Sequence, residues 1–221
     1  IPLMDAIATK SVSMIENFRA QHCSNMAWSC ARLPYSHTPL LDALACGFLR
    51  NLSGTIPQEI FNTAWAYAKL GIVVRPLLQA IATEVLAHLY EYEMRGIANI
   101  IWSFATLGWL DAPLIAAISA VSQLKCAECG PQELGTTAWS FATFSVLDQP
   151  LMDAISAESQ RKIRDFGCQN LTNMAWSFST LGVKDDPLLS AIAQDAIQKC
   201  GDFNAQHISN TAWAYAVVLI E

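Results

Sequence analysis

Charge is scarce in this chain. Only 14% of its 221 residues are Asp, Glu, Lys or Arg, and the positive share is the smaller, 13 Lys and Arg against 19 Asp and Glu. The net charge of −6 and pI near 5.1 argue against a non-specific grip on nucleic acid, which rests on summed positive charge. Double-stranded DNA is therefore not an expected partner. No run of about 18 apolar residues offers a membrane span. A glycine-rich phosphate loop is missing as well; the glycines fall where helices stop. His22, His37, His88 and His207 are dispersed, and no Ser, Cys or carboxylate recurs beside them as a catalytic triad requires. The seven cysteines make an odd number without a disulfide framework, which points to a reducing compartment. Cys126 and Cys129 form the one CxxC. A zinc site needs four converging ligands, and no second pair stands at ligand spacing. The chain reads as non-enzymatic, with no metal and no cofactor.

What the chain does contain is a repeat. Trp28, Trp65, Trp102, Trp139, Trp176 and Trp213 are each 37 residues apart, and self-similarity at such a period marks a repeat array. The unit is clearest in Asn173-Met174-Ala175-Trp176-Ser177-Phe178-Ser179-Thr180-Leu181-Gly182. With 53% hydrophobic residues there is ample material for a buried core. Residues 1–20 read as the end of a preceding repeat. Full repeats run 21–57, 58–94, 95–131, 132–168 and 169–205, and 206–221 is the first helix of a sixth. Since both ends fall inside repeats without a polar cap, the expectation is a piece of a longer array.

Each unit holds two helices. The first starts near Gln58, Gln132, Gln169 or Gln206, with Pro57 and Pro131 just before it. It stops at Gly71, Gly108 or Gly182 as a glycine C-cap should, with Pro34 and Ser145 in that place elsewhere. Asp111, Asp148 and Asp185 stand as N-caps two residues before a proline, and the second helix follows as Pro-Leu-Leu-x-Ala-Ile. One helical hairpin per 37 residues makes an all-α, right-handed α-solenoid of stacked two-helix hairpins, a single array over 1–221.

Read at about 100° per residue, the first helix has a broad apolar arc and a narrow polar one. In the unit 169–205 the polar arc holds Gln169, Asn170, Asn173, Ser177 and Thr180; Ala66, Ala214 and Val217 interrupt it in other units. One place recurs as Asn25, Asn62, Asn99, Thr136, Asn173 and Asn210, a row of amides and a hydroxyl along what a solenoid makes its concave face. Such amides either satisfy neighbouring backbone or face a ligand, and both readings stand. Two further places vary between units as a one-unit-per-repeat code would. One holds His22, Glu59, Gly96, Glu133, Asn170 and His207. The other, four residues after Trp, holds Arg32, Lys69, Thr106, Thr143, Thr180 and Val217. The tryptophans themselves, flanked by Ala and Phe or Tyr, are assigned to the core.

The pattern Asn-x-x-Trp-x-x-Ala-x-Leu-Gly, as in Pro57-Gln58-Glu59-Ile60-Phe61-Asn62-Thr63-Ala64-Trp65-Ala66-Tyr67-Ala68-Lys69-Leu70-Gly71, resembles the octotricopeptide repeat family. The resemblance implies a helical-hairpin solenoid similar in style to pentatricopeptide proteins. It also implies work in a chloroplast or mitochondrion, binding particular RNAs through the inward stripe. The leading expectation is thus sequence-specific single-stranded RNA binding in organellar gene expression. The rival is a protein–protein interaction scaffold or structural subunit of a larger organellar complex, whose acidic flanks would suit a basic peptide.

Overall fold

The computed structural model describes residues 2–220; Ile1 and Glu221, the two ends of the expected array, lie outside the described residues. Among the described residues there are twelve α-helices and no strand: α1 (Pro2–Ser13), α2 (Ala20–Arg32), α3 (Thr38–Arg50), α4 (Pro57–Leu70), α5 (Arg75–His88), α6 (Met94–Thr106), α7 (Ala112–Leu124), α8 (Pro131–Thr143), α9 (Gln149–Lys162), α10 (Cys168–Thr180), α11 (Asp186–Gln198) and α12 (Ala205–Ile220). The even-numbered helices are the tryptophan helices, and the odd-numbered ones carry the Pro-Leu-Leu signature.

Local chemistry sets the helix ends. The carboxylates of Asp111, Asp148 and Asp185 accept the backbone N–H of Leu114, Leu151 and Leu188 at 3.0, 3.1 and 2.9 Å, satisfying donors a helix start leaves open. His37 does the same through Nδ1 for Leu40 at 3.1 Å. Pro57 and Pro131 lie inside the first turn of α4 and α8 rather than before it, because that turn spends no proline N–H. Gly71, Gly108 and Gly182 close their helices at φ 69°, 62° and 67°, and Ser145 holds the same left-handed place at φ 56°.

The stretch after each odd helix is a 3₁₀ turn such as Leu89–Glu91, Cys126–Glu128 and Ile163–Asp165. A lysine from the next unit closes each of these three. Lys125 Nζ donates to the carbonyls of Tyr90 and Tyr92 at 2.8 and 2.9 Å. Lys162 reaches those of Ala127 and Cys129 at 3.0 and 2.6 Å. Lys199 reaches those of Arg164 and Phe166 at 3.0 and 2.7 Å. Asn51 stands in the same register and donates to the Phe18 carbonyl at 3.2 Å.

The core is one continuous column. Leu77, Leu78, Leu114, Leu151, Leu188, Phe104, Phe141 and Phe178 are all essentially inaccessible, and truncating one such phenylalanine to alanine costs about 3–5 kcal/mol. Tyr67, at the phenylalanine place of its unit, adds a hydrogen bond to the Leu41 carbonyl at 2.5 Å. Successive even helices lie against one another far more closely than successive odd helices do. The closer layer is the shorter arc, so the stack curves with the tryptophan helices inside, as in other solenoids.

The left-handed serine and the ion pairs of Glu158 each yield a test. Ser145→Gly should raise unfolding free energy by roughly 0.5–1 kcal/mol, the relieved left-handed strain less the extra freedom of an unfolded glycine; denaturant melts would read it. Glu158 pairs with Arg161 and with Lys162, at 2.5 and 2.6 Å. The Arg161 hydrogen bond is the chief reason its carboxyl falls to about 2 from an ordinary 4.5. A carboxyl lowered by folding stabilises the fold above its unfolded value, so this contribution should be intact above about pH 4.5 and vanish as pH falls through about 2. The acid-dependent difference between wild type and Glu158→Gln in denaturant midpoint, measured from neutral pH down to pH about 3, should shrink accordingly.

Candidate functional site

The inner face is built by the even helices, and the asparagine row runs along it. Asn62, Asn99, Asn173 and Asn210 are half-buried and Asn25 is exposed. All five line one of three hollows on this face. The first, about 470 Å³, is lined by Phe18, His22, Asn25 and Met26 among others. A second of about 470 Å³ lies between Phe61, Asn62, Tyr92, Arg95 and Asn99. The third, about 490 Å³, crosses four helices between Trp102, Trp139, Trp176, Asn173 and Asn210. Thr136, the hydroxyl of the row, is half-buried.

The amide side chains are mostly free. Among the described residues Asn25, Asn62, Asn99 and Asn210 make no side-chain hydrogen bond, whereas structural amides in protein interiors are normally paired. Asn173 is the exception: its Oδ1 accepts Gln169 Nε2 at 2.7 Å. Gln169 Oε1 in turn meets His207 Nε2 at 3.1 Å, so three side chains on two helices hold this amide in one orientation. It is the backbone carbonyls of the row that are engaged. Ser29, Ser103, Ser140 and Ser177 donate to the carbonyls of Asn25, Asn99, Thr136 and Asn173 at 2.8, 2.7, 2.7 and 2.6 Å.

That pairing corrects the expected polar arc. Ser103, Ser140 and Ser177 are fully buried, because a hydroxyl bonded back to the preceding turn no longer needs water. Ala66 and Ala214, at the same place in their units, are likewise inaccessible. They are core residues and not gaps in a reading surface. Val217 is half-buried.

The two variable places behave differently. Glu59, Glu133 and Asn170 accept the backbone N–H of Ile56, Gly130 and Gly167 at 3.2, 3.0 and 3.2 Å. His22 and His207 accept those of Arg19 and Asn204 through Nδ1 at 3.1 and 3.3 Å. Each is thus the third-residue half of a capping box. Glu, Asn and His alternate there because each carries an acceptor of suitable reach, which accounts for the variation without a recognition code. Gly96 lacks that group, and the Phe61 ring fills the space its side chain would take. The place four after Trp faces solvent in four units, while the Thr180 hydroxyl is buried without a hydrogen-bond partner. Arg32, Lys69, Thr106 and Thr143 are exposed and Thr180 half-buried. The Arg32 guanidinium lies 5.6 Å over the Trp28 ring, and Thr143 Oγ1 donates to the Trp139 carbonyl at 2.8 Å.

The tryptophans are not sealed in the core, although Trp65 packs against it. Trp28 and Trp213 are 41% and 47% exposed, and Trp65, Trp102, Trp139 and Trp176 are half-buried. The residue before each is Ala in five units and Ile101 in the sixth; Ala27, Ala64, Ala138 and Ala175 lie sealed between neighbouring helices. Helices that meet across alanine leave no room for an indole, so the rings lie along the groove rim beside the asparagines. At about 100° per residue Trp176 lies at the edge of the apolar arc of its helix, and only the spacing of the neighbours decides to which side the edge belongs.

Charge on this face is balanced. Arg32, Lys69 and Arg95 stand against Glu59, Glu91, Glu93 and Glu133, while Lys125, Lys162 and Lys199 are committed to the turn carbonyls described above. Cys126 and Cys129 are buried, and burial chiefly pushes their thiols up to about 11 and about 12. Both are therefore protonated at neutral pH.

Of known families, the one described as RESC6, RNA-editing substrate-binding complex 6 protein, matches residues 2–149. No curated protein matches the chain. The matched family is not the octotricopeptide family that the repeat motif resembles; the match supports an RNA-related helical protein. The repeats past residue 149 continue the same register through Trp176 and Trp213.

Capping residues and free amides should separate by stability. Glu133→Ala should cost about 0.5–2 kcal/mol, as loss of a cap does, while Asn99→Ala and Asn210→Ala should stay within about 0.5 kcal/mol. Urea melts of the three variants would show it.

Proposed function

The chain belongs to the RNA-editing substrate-binding complex 6 protein family, and from that premise we propose that it is a non-enzymatic subunit of an RNA-editing assembly that holds single-stranded RNA along its inner groove. The observation that carries this reading is the row of asparagine side chains lining three successive hollows, of which all but Asn173 are without a side-chain hydrogen bond. An amide can pair two edge atoms of a base at once, and helical repeats elsewhere read one base per unit with two or three side chains. By that analogy about six nucleotides would span the described units. The reading residues are Asn25, Asn62, Asn99, Thr136, Asn173 and Asn210, with Arg32, Lys69, Thr106, Thr143 and Thr180 flanking them. Of the two organelles that the repeat motif implies, the mitochondrion suits an RNA-editing assembly.

A groove with so few free cations binds by base contacts more than by phosphate attraction. Three phosphate partners, Arg32, Lys69 and Arg95, would give a slope of log affinity against log salt near −2 for a single strand. A strongly basic RNA binder would show a steeper one.

The second reading, a protein scaffold within the same assembly, draws on the matched family being named for a complex.

Selection from a randomised single-stranded RNA pool at moderate salt tests the two. Enrichment of a short motif by the wild-type chain, lost in an Asn62→Ala/Asn99→Ala/Asn173→Ala variant that keeps its helical signal, is the expected result. Absence of enrichment at micromolar protein would sink the RNA reading and leave the scaffold.

A further inference from the structure

We propose that Trp139 and Trp176 form a clamp that takes one nucleobase of single-stranded RNA between their rings, with Asn173 addressing the edge of that base. The inference rests on the inner groove being the RNA-binding face, and it assigns a chemical task to residues that nothing in the repeat motif marks for contact.

The two rings form a tilted pair. The two indoles come from α8 and α10, their centroids are 6.5 Å apart, and their planes are inclined by 33°. Bases in one strand are spaced by about 3.4 Å, so a base between two rings needs roughly twice that separation. The observed distance is close to this, and a small rotation toward parallel would make two stacking contacts from one loose one. Neither ring is buried, and both open into the hollow of about 490 Å³ shared with Thr143, Asn173 and Asn210.

The polar side of the hollow is prepared for one edge. Asn173 Oδ1 is occupied by Gln169 Nε2 at 2.7 Å, and His207 fixes Gln169 from the next helix at 3.1 Å. What Asn173 has left is its Nδ2 pair of donors, in a hollow it shares with both indoles. Every nucleobase carries a ring nitrogen or carbonyl oxygen that can accept, so the clamp supplies affinity, with Asn210 and Thr143 left to discriminate. An aromatic face suits RNA for the same reason: each base has a π-face, and stacking is sequence-tolerant. At the other end of the row, Arg32 lies over Trp28, which places a cation beside an indole where a strand would bring a phosphate.

The test compares two doubly substituted chains of similar side-chain bulk. Trp139→Phe/Trp176→Phe keeps two flat π-faces; Trp139→Leu/Trp176→Leu keeps the apolar volume and loses them. The probe is a randomised short single-stranded RNA, with affinity read by fluorescence anisotropy and folding by thermal melts. The expected result is that the Phe pair binds within a few-fold of wild type while the Leu pair loses roughly five- to hundred-fold, the range that one stacked base is worth. Equal binding by the Leu and Phe pairs, in a wild-type chain that binds RNA and depends on its asparagines, would overturn the clamp alone. No RNA binding by the wild-type chain would overturn the clamp together with the reading it rests on, and would assign the hollow to a partner of another class. Should the Leu pair melt early, quenching of wild-type tryptophan emission by the same RNA provides the second measure. Quenching is expected, and unchanged emission at saturating RNA would overturn the clamp.

Discussion

Each inner helix has to bury two flanks at once, one against the inner helix before it and one against the inner helix after it. Alanine immediately before tryptophan makes this possible. Ala27, Ala64, Ala138 and Ala175 are sealed, and small residues at a contact bring helices toward the lower end of the usual 8–10 Å separation. The outer helices carry Pro-Leu-Leu instead, with larger side chains at their contacts, and are held farther apart. A stack with one tight and one loose layer must curve, and the tight layer becomes the concave one. The groove, the rim of indoles and the asparagine row all follow from that asymmetry.

The remaining polar groups are partitioned by the same constraint. Residues at helix starts are spent on backbone: Glu133 on Gly130, Asn170 on Gly167, His22 on Arg19. The lysines at 125, 162 and 199 are spent on the carbonyls of 3₁₀ turns. Ser119 and Ser156 donate to the capping carboxylates of Asp148 and Asp185 and so tie each outer helix to the next. After these commitments little charge is left for a ligand, but the amides on the inner face are largely unspent. A near-neutral surface of amides and indoles favours contacts with bases over contacts with phosphates, which reconciles a net charge of −6 with membership of a family named for an RNA-editing complex.

Placing the site on repeats has a mechanical consequence. Asn173 is oriented by Gln169 of its own helix and His207 of the following one, so the geometry of one unit depends on its neighbour. Coupling of this nearest-neighbour kind is how solenoids distribute stability, and here it extends to one side chain of the asparagine row.

The sequence by itself determined everything governed by short-range chemistry. The aspartate caps and the glycine stops each depend on residues within one turn of one another, the 37-residue recurrence repeats them, and they stand where the spacing put them. The asparagine row was legible too, since periodicity along one helix places residues on one face. Three features needed the tertiary structure. The serines of the polar arc are buried because they bond back along the helix, an option hidden in residue type alone. Glu59, Glu133, Asn170, His22 and His207 varied like a code but share an acceptor used for capping. The tryptophans sit at an arc edge that is neither buried nor exposed until neighbouring helices take their places, and alanine contact leaves no interior volume for an indole. Burial depends on what lies across a contact, and a residue's own chain segment does not contain that information.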